Sequence, residues 1–211
     1  MVRTVRVSDA EYPPLLRGVG PETLYVLGAL PPGRYVAVAG ARDASREGLE
    51  LARELGRALA RSGYVVVTGL AKGVDESATT GALETGGRAV GVVPFIYEGE
   101  GSLWRRARPF LGKAAVVSER LYPSPNVRRD FALRNRTTVG MSLALLVPEA
   151  RHRAGGWGTL RAAEFALRFG RLVAVFEPRA ADGAVRKAFR ILTGMGASAV
   201  RDVEDALKLV C

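Results

Sequence analysis

The chain has 211 residues, 48% hydrophobic and 25% charged, with a formal net charge of +10. That composition supports one sizeable core, excludes a disordered polymer and favours polyanionic partners, nucleic acid first. A single cysteine, Cys211, excludes an intrachain disulfide, and with one histidine, His152, it cannot make a His/Cys zinc site.

Along the chain, residues 35–39 form an apolar run that predicts a strand ending at Gly40. Ser45 is placed to cap a helix in which Leu49, Ala52, Leu55, Leu59 and Ala60 recur at helical spacing until Gly63. Residues 64–68 predict the next strand, 69–74 a turn, and Asp75 the cap of a helix to about Thr85. Residues 88–93 predict a third strand stopped by Pro94, and 99–111 has room for a short helix. A fourth strand is expected over 114–118, a loop with Pro123 and Pro125 over 119–129, and a helix capped by Asp130 through Met141. A fifth strand over 143–147 stops at Pro148. A loop with Gly155, Gly156 and Gly158 then leads into a helix through Phe169. A sixth strand over 172–176, a helix near 184–192, a short strand over 198–200 and a last helix from Val203 complete the pattern.

Continuous apolar strands are buried on both faces, which implies a parallel sheet between helices. The expected fold is α/β: a Rossmann-like three-layer sandwich with a mostly parallel sheet. It is read as a single domain over 34–211 with a short N-terminal extension over 1–33. Right-handed crossovers put the strand C-termini on one edge, where ligands bind at a topological switch point. No apolar run approaches the roughly 20 residues that cross a bilayer. The start, Met1-Val2-Arg3-Thr4, lacks a signal-peptide apolar region, so a cytoplasmic location without membrane contact is expected.

Four segments fall on that edge. In the first, Gly40 and Arg42 follow a strand, where a helix N-terminus and a planar guanidinium suit phosphate. In the second, Gly69, Lys72 and Gly73 outline a phosphate cradle. It is not a Walker A loop, and neither turn has the Gly-x-Gly-x-x-Gly of a dinucleotide fold. The third holds Arg128, Arg129, Phe131, Arg134, Asn135 and Arg136: cations for phosphates around an aromatic for an unpaired base. The fourth, Gly155, Gly156, Gly158 and Thr159, permits close backbone approach before a helix, with Arg151, His152 and Arg153 adding positive charge upstream. Each segment also has a plain structural reading, as a turn, a helix cap, a core phenylalanine or a surface loop. Their joint placement carries the functional one. His152 lies in an Arg-rich stretch without a nucleophile motif, and no catalytic residue, cofactor or metal is expected.

These stretches resemble, in order, the DNA-processing A (DprA/Smf) family. Tyr12-Pro13-Pro14-Leu15 and Leu24-Tyr25-Val26-Leu27-Gly28 resemble its lead-in, and Val36 to Arg42 its first strand and Gly-Ser-Arg turn, with Ala41 in the serine position. Val66 to Asp75 is similar to its second signature. Ser118-Glu119, Phe131-Ala132-Leu133-Arg134-Asn135-Arg136, Gly140-Met141-Ser142 and Gly170-Arg171 follow. The resemblance covers the family's core and not the helical and winged-helix domains that often flank it. It implies a homodimer that binds single-stranded DNA and loads a RecA-like recombinase in DNA uptake (natural transformation) or recombination. It also implies contacts from Arg42, Lys72, Arg134 and Arg136, with Phe131 near a base, and no catalysis. Gly155-Gly156-Trp157-Gly158-Thr159 instead resembles the loop of LOG (lysine-decarboxylase-like) phosphoribohydrolases, whose glutamate three residues past the threonine is Ala162 in this sequence. The alternative expectation is therefore a nucleoside-monophosphate phosphoribohydrolase or a nucleotide-binding sensor.

Overall fold

The computed structural model describes residues 2–96, 110, 112, 114–152, 158–178 and 182–210. Its strands are β1 (Val2–Arg6), β2 (Thr23–Leu27), β3 (Tyr35–Val38), β4 (Val65–Thr68), β5 (Arg88–Val92), β6 (Ala114–Ser118), β7 (Ala144–Val147), β8 (Leu172–Phe176) and β9 (Ser198–Val200). Its helices are α1 (Arg46–Arg61), α2 (Val74–Glu84), α3 (Val127–Gly140), α4 (Gly158–Arg168), α5 (Gly183–Gly194) and α6 (Val203–Val210). The short helix expected within 99–111 falls largely outside the described residues.

Among the described residues nine strands form one sheet in the order β1-β2-β6-β5-β4-β3-β7-β8-β9. From β6 to β9 every neighbouring pair is parallel, and β1 and β2 add an antiparallel margin. The chain therefore builds outward from β3 in one direction through β4, β5 and β6, then returns to the other side of β3 with β7. The seam between β3 and β7 is the switch point.

Adjacent residues of one strand serve opposite layers. Val36 and Val38 pack with Leu55, Leu59 and Val66 against α1, α2 and α6. Ala37, between them, joins Leu145, Val147, Leu160 and Ala163 under α4 and α5. Covering both faces leaves no polar alternation in β3, β4 or β7, all fully buried.

Residues 2–27 give the largest difference from expectation, which assigned no strand before Tyr35. Val2–Arg6 pairs with Thr23–Leu27, which pairs with β6 through Tyr25 and Ser118. Tyr12 and Leu16 in the connection are fully buried. Arg171 fastens this segment, donating from Nη2 to the Leu15 carbonyl at 2.6 Å. Two helix starts also differ. Asp75 sits at the second residue of α2, behind an N-cap at Gly73 with φ +92°. α3 starts at Val127 because Asn126, and not Asp130, accepts the Arg129 N–H at 3.1 Å. At α1 the expected cap is the observed one: Ser45 Oγ accepts the Gly48 N–H at 3.0 Å, a bond worth about 1 kcal/mol.

Candidate functional site

A cavity of about 390 Å³ opens over the switch point. Gly40, Arg42 and Asp43 contribute from the β3–α1 turn, Ala71 from the β4–α2 turn, Asp75 from the first turn of α2, and Phe131, Arg134 and Asn135 from α3. Arg151 and, from the start of α4, Gly158 and Thr159 complete it. All four sequence segments thus reach one hollow, although Gly155 and Gly156 lie outside the described residues.

Its floor is organised by a carboxylate. Asp75 is 3% exposed, and the backbone N–H groups of Gly69, Ala71 and Gly40 are directed at it, Gly69 at 2.9 Å. The glycine turns were expected to offer free N–H donors to an outside anion. Instead those of Gly40 and Gly69 serve an internal one. Burial pushes the Asp75 carboxyl up from its ordinary value, against the pull of Arg134 and the three N–H donors.

Arg134 lies beside it and is 9% exposed. Burial pulls its guanidinium down, Asp75 holds it up, and Arg42 adds repulsion. Each charge favours the other, and burial outweighs that attraction for both. Arg134 Nη1 donates to Asn135 Oδ1 at 3.0 Å, while Asn135 Nδ2 reaches the Gly158 carbonyl at 3.2 Å. The buried Nε of Arg134 has no protein partner. The Arg134 guanidinium, which lines the open hollow beside Arg42, is suited to an incoming oxyanion.

The other sequence candidates are arranged around this centre. Arg42 is an exposed part of the lining, and Phe131 is half-buried in the wall. Gly73 packs where a side chain would strike the carbonyls of Ala41 and Arg42, which explains the glycine. Lys72 is exposed on the β4–α2 turn, and Arg128 and Arg129 are exposed on the first turn of α3. Arg136 does not line the cavity. Two residues beyond Arg134, it is turned by roughly 200° and pairs with Glu119 at 2.8 Å. Arg151, expected as free positive charge, is held by Glu149 at 3.1 Å and Asp182 at 2.9 Å. Arg153 lies outside the described residues.

Sequence reasoning missed Glu149. This carboxylate is 6% exposed. It accepts the Ser45 N–H at 3.0 Å and the Ser45 hydroxyl at 2.5 Å, tying the end of β7 to the start of α1. Pro148 marked that position only as a strand stop. Ala162, at the place of the phosphoribohydrolase glutamate, is buried in the core, and Glu164 pairs with Arg161 on the exposed face of α4. Among the described residues no group of three or more His, Cys, Asp or Glu could hold a metal ion. Among them, too, no helix is long and apolar enough to cross a membrane.

The architecture and its motifs have close counterparts. The family model for DNA recombination-mediator protein A matches residues 3–210. Protein Smf of Synechocystis sp. is 32% identical over 178 residues, 78% of this chain and 43% of that protein, so the chain spans less than half of that relative. The crystal structure of DNA processing protein A from Streptococcus pneumoniae superposes with a TM-score of 0.82 at 27% identity, over 98% of this chain and 73% of that one. A Helicobacter pylori DNA processing protein A, whose structure describes a single-stranded DNA binding mode, has the same fold, with a TM-score of 0.79 at 19% identity over 100% and 95%. With a match that runs nearly end to end, the chain belongs to the DNA recombination-mediator protein A family.

Proposed function

We propose that the protein binds single-stranded DNA at the switch-point cavity and performs no chemistry on it. The observation that carries this reading is Arg134: a guanidinium that lines one hollow together with Arg42 and Phe131. A backbone phosphate takes the Arg134 and Arg42 donors, and an unpaired base lies against Phe131. Neither contact reads a base edge, so recognition is tolerant of sequence. Lys72, Gly158 and Thr159 border the same edge and add contacts along the strand. The DNA-binding mode described for the Helicobacter pylori relative supports the ligand class. Homodimerisation, a RecA-like recombinase partner and a cytoplasmic setting extend the proposal by family resemblance.

The test is an anisotropy titration of labelled oligo-dT and of a duplex at two salt concentrations. Single strands should bind better, with a logarithmic salt slope of about −0.7 per neutralised phosphate. Arg134→Ala should weaken binding to all sequences alike. No single-strand affinity at low salt, or an unaffected Arg134→Ala protein, overturns the proposal. Light scattering and co-purification with a purified recombinase test the two assembly claims.

A further inference from the structure

We propose that Leu70 is a positioning residue of the single-strand site: its left-handed backbone turns the Gly69 and Ala71 N–H groups onto Asp75 and so seats Arg134 in the cavity. This rests on the DNA-binding reading and adds to it a residue that itself touches no DNA.

Leu70 has φ +49°, the only positive φ of a non-glycine residue among the described residues. An L side chain is strained there, and a residue that uses this region is ordinarily glycine, asparagine or aspartate. Leucine has neither the freedom of the first nor the local hydrogen bond of the other two. Strain of this kind persists only where the surroundings over-determine it, and it gathers at functional sites.

Two sets of contacts hold the turn. The side chain, 3% exposed, packs with Val93, Ile96, Phe110 and Val116. It fills a dent left by Gly91 of β5, where any side chain would overlap a Leu70 methyl group and Cγ. Gly91 is the register partner of Thr68, the last residue of β4. The backbone is held by buried hydroxyls. The Leu70 N–H donates to Thr68 Oγ1 at 3.2 Å, Thr68 Oγ1 and Thr79 Oγ1 lie 2.8 Å apart, and Thr79 Oγ1 donates to the Asp75 carbonyl at 2.8 Å. Each hydroxyl has one proton, so Thr68 must donate to Thr79, and the relay runs one way from Leu70 to Asp75.

The consequence falls on the cavity. With the Leu70 N–H engaged by Thr68, the N–H groups on either side of it are directed at the Asp75 carboxylate, as successive amides converge in an anion-binding nest. Asp75 in turn faces Arg134, whose guanidinium lies in the space beside Gly69. Ala71 lines the cavity itself. A right-handed residue 70 would swing the Ala71 N–H away from Asp75 and leave Arg134 without a fixed seat.

The experiment measures oligo-dT affinity for two pairs of variants, on protein whose circular dichroism is native. Leu70→Ile keeps the same atoms but branches at Cβ, which the left-handed region does not accept. Leu70→Met keeps an unbranched Cβ and nearly the same volume. Thr68→Val removes the hydroxyl relay while leaving Leu70 in place, and Thr68→Ser restores it. Leu70→Ile and Thr68→Val should each weaken binding roughly 5- to 150-fold, the range of one strained backbone position, and should add little in an Arg134→Ala background. Leu70→Met and Thr68→Ser should bind like wild type. A merely structural Leu70 would lower the urea midpoint and leave the affinity of the folded protein unchanged. That outcome, with wild type binding well and Arg134→Ala binding weakly, overturns this inference alone. Losses that add in full to that of Arg134→Ala overturn it too. If Leu70→Ile does not fold, Thr68→Val decides between the same outcomes. Wild type that binds no single strand overturns the reading beneath it as well.

Discussion

The guanidinium of Arg134 occupies the space that a side chain at Gly69 would need; a methyl group there would overlap both its terminal nitrogens and Cζ. The glycine of the β4–α2 turn is thus required by an arginine from α3, more than sixty positions away. Gly69→Ala should displace Arg134 and weaken single-strand binding about as much as Arg134→Ala does, and the double variant should be no worse than either single one. Anisotropy titrations of the three proteins check this coupling, and additive losses would refute it.

Asp75 holds the floor together, so its loss should show first in stability. Asp75→Ala removes the acceptor of the Gly69 N–H and leaves Arg134 buried without its counter-charge. Losing a buried acceptor of this kind costs roughly 1–3 kcal/mol. Asp75→Asn keeps one acceptor oxygen and should lose less. Urea midpoints rank the three proteins, and an Asp75→Ala midpoint equal to that of wild type would refute this role.

Arg42 and Arg136 should separate cleanly. Arg42→Ala removes an exposed cation of the cavity and should reduce the magnitude of the salt slope by about 0.7 with little change in melting temperature. Arg136→Ala should leave the slope alone and lower stability by about 1–3 kcal/mol, because the largely covered Glu119 side chain loses its counter-charge. Salt titrations and thermal melts of both variants distinguish the two assignments.

Tyr12 and Tyr35 supply a pH signature. Burial pushes both phenols up to about 12, above the value near 10 of an unfolded chain. The neutral form is the one the fold favours. The associated stability is fully present below about pH 10 and is lost as pH rises through about 12. Tyrosinate absorbance should show a late component in the folded protein that disappears in denaturant. A single step near pH 10, with native circular dichroism retained, would contradict the burial of these rings.

The strands flanking the switch point were legible because burial on both faces leaves an uninterrupted apolar run, as at Val36-Ala37-Val38 and Leu145-Leu146-Val147. β2 was missed because only one face is covered. Leu24 and Val26 are fully buried while their neighbours are half-buried, and that period-two signal is brief. β1 is weaker still, since Arg3 and Arg6 interrupt it. At the site, strand order brought the right loops to one edge, but contact between loops is not written in either loop. Nothing local to Gly40 or Gly69 shows that their N–H groups turn toward Asp75. The divergence of Arg134 and Arg136 was within reach: residues two apart on a helix cannot share a face. The shared motif, carrying cations at both positions, concealed that geometry.

Glu149 clasps Ser45 on one bank of the seam, and Arg151 carries the clasp across to Asp182, which heads α5 through its bond to the Ala184 N–H at 2.7 Å. Both banks are fastened before any guest arrives. If the slot takes a strand as proposed, it should spend little freedom on closing, since these ties hold it without a ligand.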